Sequence, residues 1–171
     1  MKLWSVDRGF ATESLIVLRT TPDPVVFAEG VDRDRFVADL WRELEAIPGA
    51  AVSVSNQVPL SGTLSTTSYE VERNSAEPDE RNFVISVILE NYFEVMEIPL
   101  LEGRAFEATD VEDAPLVTIV SQSMANAVWP GESALGKRIR SGEEDPWTTV
   151  VGVARDVRHS GLAVEPEPKL Y

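Results

Sequence analysis

The sequence predicts an α+β fold in which a βαβ unit is joined to a second, mixed α/β lobe. Short apolar stretches alternate as in β-strands, and one longer stretch repeats apolar residues every three or four positions, as in a helix. A stretch rich in Ser, Thr and Gly over 59–68 resembles a linker and marks the boundary between the two lobes. The chain has 171 residues, of which 43% are hydrophobic and 26% charged, a balance typical of a globular protein.

The first lobe is predicted from a strand, a helix and a second strand. Residues 14–20 form an apolar, β-branched run before two prolines and predict a buried strand. Asp32 is expected to cap a helix that ends at Pro48-Gly49. This helix has an apolar face made of Phe36, Val37, Leu40, Trp41, Leu44 and Ile47. The second strand is predicted from Val52, Val54 and Val58. Because such a unit forms a right-handed crossover, we expect the two strands to be parallel.

The second lobe is predicted from short elements separated by turns. Strands are expected over 69–73, 82–89 and 116–120, followed by a helix that Ser121 caps. A hairpin is expected where 138–140 pairs with 147–153 around the turn at 142–146. A short helical segment carries Tyr92, Phe93 and Met96 against the core.

Composition and charge exclude several classes of protein. The chain has 29 acidic and 15 basic residues and a formal net charge of −14, which disfavours nucleic-acid binding because that requires basic groups to displace counterions. It has no cysteine, so disulfides, zinc–thiolate sites and cysteine nucleophiles are impossible. No apolar run reaches the ~18 residues of a membrane-spanning helix, and residues 1–8 do not resemble a signal peptide.

No pattern in the sequence indicates catalysis, a cofactor or a metal. The single histidine, His159, stands beside Ser160 and near Asp156, but neighbouring residues of one segment cannot converge as a nucleophilic triad. We therefore expect His159 to be a surface or turn residue. The acidic stretches at 110–113 and 143–145 lack the spacing of a calcium loop and are interpreted as solvated loops. Phosphate-binding glycine motifs do not occur.

Several segments together resemble one family. The stretch 91–106, Asn-Tyr-Phe-Glu-Val-Met-Glu-Ile-Pro-Leu-Leu-Glu-Gly-Arg-Ala-Phe, is similar to a signature of MacB-like periplasmic core domains of ABC-transporter permeases. The segments 129–132 (Trp-Pro-Gly-Glu), 135–139 (Leu-Gly-Lys-Arg-Ile) and 150–159 (Val-Val-Gly-Val-Ala-Arg-Asp-Val-Arg-His) match later motifs of the family in order. Shorter matches are 8–10, 47–49 and 59–62. The chain departs from the family pattern at Glu90-Asn91, Glu97 and Arg155.

The resemblance implies an organisation and a role. Residues 1–60 would be the first βαβ part of a ferredoxin-like, Porter-like lobe. Residues 61–162 would form an inserted Sabre-like lobe, and 163–171 would return toward the incomplete Porter-like lobe, whose open sheet edge could pair with another copy. The resemblance is strongest to duplicated FtsX/MacB-type permeases of the acidobacterial kind, which lack a fused ATPase.

In such permeases the domain would be non-catalytic and lie on the periplasmic, extracytoplasmic face of the inner membrane. It would couple the motion of transmembrane helices to contacts with a partner or substrate, in efflux or mechanotransmission. The partners implied are the parent transmembrane helices and FtsX-like domain, a separate cytoplasmic ATPase subunit that acts indirectly, and a periplasmic adaptor or other protein.

The predicted crossover also suggests a partner-binding surface. If strand 14–20 enters from the membrane side, both parallel strands end at the far side, which places loops 21–31 and 59–68 there. We therefore expect Pro59, Leu60, Ser61 and Leu64 to contact a partner. Two alternatives remain open. A stand-alone ligand-binding or sensory domain would have an enclosed apolar pocket, and an acid-pair hydrolase would have two carboxylates in a cleft.

Overall fold

The computed structural model describes residues 7–13, 15–20, 30–62, 64–72, 79–89, 91–111 and 113–171, with side chains of the first helix from residue 35 onward. The helices are α1 (Gly30–Glu45), α2 (Tyr92–Val95) and α3 (Gln122–Val128). The strands are β1 (Thr66–Val71), β2 (Asp79–Ile85), β3 (Leu100–Gly103), β4 (Val117–Ser121), β5 (Arg138–Arg140), β6 (Thr148–Ala154) and β7 (Lys169–Leu170). None of the described helices is both long and apolar enough to cross a membrane.

The seven described strands form one mixed sheet that closes on itself. Their order is β3-β6-β4-β7-β2-β1-β5, and β5 pairs in addition with β6. One edge of β6 pairs in parallel with β4. The other edge pairs antiparallel first with β5 and then with β3. Six strands therefore make a ring, and β3 is attached to it through β6.

The short strand β7 lies in the middle of this sheet. It runs parallel to β2 and antiparallel to β4. The backbone of Tyr171 continues the pairing, since its N–H donates to the Ile119 carbonyl at 2.9 Å. The last residues of the chain therefore hold two halves of the sheet together, and they belong to the same sheet as β1–β6.

Apolar side chains pack on both faces of the sheet. Along β4, Ile119 and Val120 are both fully buried but point to opposite faces, as successive strand residues do. On one face α3 covers a cluster of Val71, Phe83, Val120, Met124, Val128, Trp129, Ala134, Ile139, Val150, Val153 and Leu170. On the other face α2 covers a cluster of Tyr92, Phe93, Met96, Ile98, Ile119, Ala154, Val157 and Tyr171. Each large apolar side chain buried in this way contributes about 1.5–3 kcal/mol to folding.

The structure confirms the predicted mixed α/β class and most elements of the second lobe. The hairpin of β5 and β6 forms around the predicted turn, with Arg138 opposite Thr149. Ser121 caps α3, because its Oγ accepts a hydrogen bond from the backbone N–H of Met124 at 3.3 Å. The short helix α2 is formed as predicted, and Tyr92 and Phe93 are buried.

The two parallel strands predicted around α1 are not formed in the described residues, so that part of the prediction is wrong. Residues 15–20 are not in a strand, and Ile16 is 87% exposed. Position 14 lies outside the described residues. In 52–58 there is only one isolated bridge, between Ser55 and Ile88, and it is antiparallel. The reason is that 54–56 finds its partner in 87–89, the continuation of β2, rather than in 15–20.

The helix of the first lobe, α1, also buries less of its apolar face than its pattern predicts. It begins at Gly30, so Asp32 lies within it and does not cap it. On the predicted apolar face, Phe36 remains 37% exposed and Val37 41% exposed. An amphipathic stripe predicts a helix but does not ensure that the stripe is covered.

Candidate functional site

The predicted partner residues lie in a loop that we call the 58–64 loop, of which residue 63 lies outside the described residues. Leu60 is 38% exposed and Ser61 is exposed, whereas Pro59 and Leu64 are half-buried. The structure thus presents Leu60 and Ser61 to solvent and only partly presents Leu64. The topological argument for this surface depended on parallel strands that are not formed, and residues 21–29 lie outside the described part of the chain. That this loop binds a partner stays a prediction.

The loop is held in one conformation by the segment that follows β6. The backbone N–H of Leu60 donates to the carbonyl of Arg158 at 3.3 Å, and that of Gly62 donates to the carbonyl of His159 at 3.1 Å. Leu60 has a φ of 62°, in the left-handed region. This conformation costs a residue with a side chain about 1–2 kcal/mol, so the two hydrogen bonds fix a loop that would otherwise relax.

Gln57 anchors the start of the loop. It is 3% exposed, and its side-chain Nε2 donates to the carbonyl of Ile85 at the end of β2, at 2.6 Å. Its backbone N–H donates to Ser55 Oγ at 3.1 Å. A buried amide that bonds backbone groups rigidifies a turn. Sequence reasoning did not single out Gln57, which directly follows Asn56 in the chain and has no local pattern that indicates burial.

His159 is buried, so its prediction as a surface or turn residue is wrong. It is 1% exposed, and its Nε2 forms a short contact with Nζ of Lys169, which is 2% exposed. Beyond β6 the backbone keeps its alternation, with Val157 and His159 inward and Arg158 more exposed. The signal was this two-residue period, but the partner Lys169 comes from a strand that the sequence did not predict.

Burial makes both bases in this contact easier to deprotonate. Desolvation first, and then the charge of Lys169, lower the pKa of His159 to about 3. Desolvation also lowers the pKa of Lys169 to about 7, although Glu167 opposes the shift. The carbonyl of Val58 faces the imidazole and favours its charged form. Its geometry does not meet the criteria of a hydrogen bond, and His159 Nδ1 has no hydrogen-bond partner in the described structure.

The residues around His159 do not form a nucleophilic triad. Ser160 Oγ donates to a carboxylate oxygen of Glu167 rather than to the imidazole. Asp156 accepts a hydrogen bond from the backbone N–H of Ser123 at 2.8 Å, at the start of α3. Hydroxyl, imidazole and carboxylate are thus engaged with different groups, and the geometry does not activate the serine.

In the acidic loop that contains Asp110, an arginine holds the carboxylate in place. Arg104 Nη1 donates to Asp110 Oδ2 at 2.7 Å, and Nη2 to Oδ1 at 2.9 Å. These hydrogen bonds lower the pKa of the Asp110 carboxyl. The carboxylate is therefore neutralised by a bidentate arginine. Across the described parts of the chain, no three His, Asp or Glu side chains gather in a group that could hold a metal ion.

A cleft of about 970 Å³ separates α1 from the end of the sheet. Its walls are mainly apolar and include Trp41, Val87, Leu89, Phe106 and Val117. The cleft is open to solvent, unlike the enclosed pocket that a dedicated ligand-binding domain would have. Its described charged lining residues are the acids Glu45, Glu107 and Asp110.

Comparison with known proteins identifies the family. The sequence profile of the MacB-like periplasmic core domain matches residues 3–166. The chain belongs to the MacB-like periplasmic core domain family. No protein with a curated description matches the chain.

Solved structures of periplasmic and extracellular transporter domains are similar to the chain. The periplasmic region of MacB from Actinobacillus actinomycetemcomitans matches with a TM-score of 0.50 and 18% identity, over 77% of this chain and 60% of that one. The extracellular domain of the noncanonic ABC-type transporter YknZ from Gram-positive bacteria matches with a TM-score of 0.49 and 21% identity, over 76% of this chain and 58% of that one. The MacB-like domain described here therefore spans about three fifths of each.

Membership assigns the chain to the periplasmic domains of MacB-type ABC-transporter permeases. It also implies an extracytoplasmic location. The motif segments that carry the resemblance have structural positions in the fold: Tyr92 and Phe93 are core residues, and Gly103 lies where a Cβ would approach the Val151 carbonyl to 2.1 Å. The residues of the family motif thus serve mainly in core packing and in turns.

Proposed function

We propose that this MacB-like domain is the non-catalytic extracytoplasmic part of an ABC-transporter permease. It couples motion of the parent transmembrane helices, through the FtsX-like domain, to contacts with a partner or substrate in efflux or mechanotransmission. A separate cytoplasmic ATPase subunit drives the motion indirectly, and no cofactor takes part. The family match supports this role, and so does the structural engagement of Ser160, Asp156 and Asp110 described above.

The observation that carries the proposal is an exposed loop held rigidly on a closed sheet. Leu60 is presented in a strained conformation by hydrogen bonds to 158–159, and Gln57 ties the loop to β2. A rigid apolar contact residue lowers the entropy lost on binding. Force that reaches the sheet is then transmitted to the contact surface instead of being absorbed by a flexible turn.

The sequence segment that contains the loop carries no charge, although the chain is strongly acidic. Residues 46–69 include no charged residue, although the formal net charge of the chain is −14. An acidic protein surface, or a second copy of this chain, meets less repulsion here than elsewhere. This favours a periplasmic adaptor or other extracytoplasmic protein as the partner of Pro59, Leu60, Ser61 and Leu64, with homodimerisation as the other arrangement.

The test is made in the full-length permease, in membranes that also contain its ATPase and its extracytoplasmic partners. The double variant Leu60→Asp/Leu64→Asp places two charges on the loop. It is expected to reduce co-purification of extracytoplasmic partner at least ~10-fold, equivalent to about 1.4 kcal/mol. Co-purification of the ATPase is expected to stay unchanged, because that contact lies on the other side of the membrane.

A matched control is Leu101→Asp/Leu116→Asp, since both leucines are 42% exposed and lie elsewhere on the surface. The control is expected to retain the partner. Equal partner recovery with the loop variant and the wild type would refute the proposed surface, provided that the thermal unfolding curves of both variants match the wild type.

The volume and apolar walls of the cleft beside α1 favour one alternative, a ligand-binding or sensory domain, although the cleft is open rather than enclosed. Its volume of about 970 Å³ is within the size range of small-molecule sites, and its walls are apolar. This function predicts that an apolar ligand raises the thermal midpoint of the isolated domain, because binding to the folded state alone stabilises it. A Trp41→Ala variant would lose that shift.

A further inference from the structure

The central strand β7 is firmly positioned in the sheet. The backbone N–H of Lys169 donates to Ser121 Oγ at 3.0 Å, and Ser121 also caps α3. The Lys169 ammonium lies 5.1 Å from the centre of the Tyr171 ring. Its Nζ contacts Nε2 of His159. The side chain of Lys169 thus reaches from the middle of the sheet to the segment behind the 58–64 loop.

That segment holds the loop by its backbone. The carbonyl of His159 accepts the N–H of Gly62, and the neighbouring carbonyl of Arg158 accepts the N–H of Leu60. The His159 side chain is fully buried, and close packing leaves the ring little room to move independently of its own backbone carbonyl. One residue therefore contacts β7 through its ring and the loop through its carbonyl.

We propose that the His159–Lys169 contact is a joint through which the position of β7 sets the conformation of the 58–64 loop. His159 and Lys169 are positioning residues: neither touches a partner, and both act through the loop. The importance of the joint for transport rests on the proposed function of the loop, but its existence can be tested without a partner.

The charged and titratable neighbours of the joint are few among the described residues. Lys169 faces His159, the carboxylate of Glu167 and the ring of Tyr171. Glu167 is itself held by the hydroxyl of Ser160. His159 faces Lys169 and the uncharged carbonyl of Val58. A proton gained or lost at Lys169 therefore alters the joint directly, with Glu167 as its nearest counter-charge.

The experiment measures amide hydrogen exchange of Leu60 and Gly62 in this 171-residue chain by NMR. Lys169→Met removes the group that contacts the imidazole and keeps an apolar chain of similar length. We expect exchange of both loop amides to become at least ~10-fold faster. The amide of Arg104, which donates to the Val151 carbonyl at 3.0 Å, serves as an internal reference and is expected to stay protected.

Lys137→Met is the matched control, because Lys137 pairs with Glu132 in a turn that does not touch the loop. It is expected to leave both loop amides unchanged. The proposal is overturned if Lys169→Met leaves the exchange of Leu60 and Gly62 at the wild-type rate. If the Leu60→Asp/Leu64→Asp variant still recovers the partner while these amides respond as expected, the joint stands and the proposed function of the loop falls.

A second measurement on the wild-type protein applies if Lys169→Met does not fold. The amide chemical shifts of Leu60 and Gly62 are followed from pH 5.5 to 8.5. A joint through Lys169 gives both shifts a common titration with a midpoint near the lysine pKa of about 7. Titration of Leu60 and Gly62 while the Arg104 amide stays constant would support the joint, and flat shifts at both loop amides would overturn the proposal.

Discussion

Two buried bases, His159 and Lys169, link the stability of this domain to pH. The folded-state pKa of Lys169 is about 7 against an ordinary 10.5, and that of His159 is about 3 against 6.5. Both values are lowered, so the unfolded chain binds more protons than the folded one. The contribution of each group to the stability of the folded state is complete above its ordinary pKa, where the group is neutral in both states. It is lost as pH falls through the window between the ordinary and the folded-state pKa. These windows run from pH 10.5 to 7 for the lysine and from 6.5 to 3 for the histidine.

The first prediction concerns the lysine window. Between pH 7.5 and 9.5 the free energy of unfolding of the wild type is expected to rise by up to ~1.4 kcal/mol per pH unit, the limit for one proton. Lys169→Met is expected to flatten this slope, whatever its effect on stability at a single pH. Urea denaturation at several pH values measures it, with Lys137→Met as the control. An identical slope in wild type and Lys169→Met would contradict the attribution of this pH dependence to Lys169.

Among the elements, α3 shows how one side chain joins a helix to the sheet. Ser121 Oγ accepts from the Met124 N–H at 3.3 Å and from the Lys169 N–H at 3.0 Å, and Ser121 is 1% exposed. It therefore satisfies a free donor at the start of α3 and a donor of β7 together. Losing a helix cap costs about 0.5–2 kcal/mol, and a buried donor left without an acceptor costs about 1–3 kcal/mol.

The second prediction follows from this double role. Ser121→Ala is expected to lower the free energy of unfolding by about 2–3 kcal/mol. The control is Ser133→Ala, an exposed serine whose hydroxyl bonds Glu102, with an expected change within about 0.5 kcal/mol. Chemical denaturation of both variants at one pH measures the difference. Equal losses would show that neither the cap of α3 nor the contact with β7 stabilises the fold.

The elements that could be predicted from the sequence are those with local signals. The hairpin of β5 and β6 has a turn with Gly142 and Pro146 between alternating strands, and α3 has a serine cap followed by an apolar period. Such signals depend on residues a few positions apart. The predicted pairing of 15–20 with 52–58 is wrong because 15–20 has the composition of a strand but no strand partner among the described residues, and pairing is a long-range property.

The 58–64 loop was predicted from composition, but its anchors were not. Its Pro, Ser and Gly content indicates a turn. The carbonyls of 158–159 are about a hundred residues away along the chain, and β7 consists of two residues, too few for any periodic signal. Gln57 and His159 stand beside other polar residues, Asn56 and Arg158, so neither was visible as an anchor of the loop.

The whole domain combines a closed sheet with a loosely attached helix. The ring of six strands leaves few free edges, and its residues Ile119 and Val120 are completely buried. In α1, by contrast, no side chain described is fully buried, and Phe36 and Val37 remain partly exposed. Regions with few buried apolar contacts open locally at lower free energy than the rest of the protein.

The third prediction is therefore a division in local stability. Amides of α1 over 35–45 are expected to exchange at least ~100-fold faster than those of β4 and β6, a difference of about 2.7 kcal/mol. Hydrogen–deuterium exchange followed by mass spectrometry resolves these segments. Equal protection of α1 and the sheet would mean that the helix is stabilised by contacts beyond those described.

The central place of β7 has a consequence for biosynthesis. Strands β2 and β4 are synthesised before the strand that lies between them, which is the last one described, and the pairing of that strand closes the ring. Translation delivers residues at about 5–20 per second, so the earlier strands wait several seconds for their neighbour. A polypeptide that must be threaded through a translocase before it folds gains from this delay, because it cannot complete its sheet too soon.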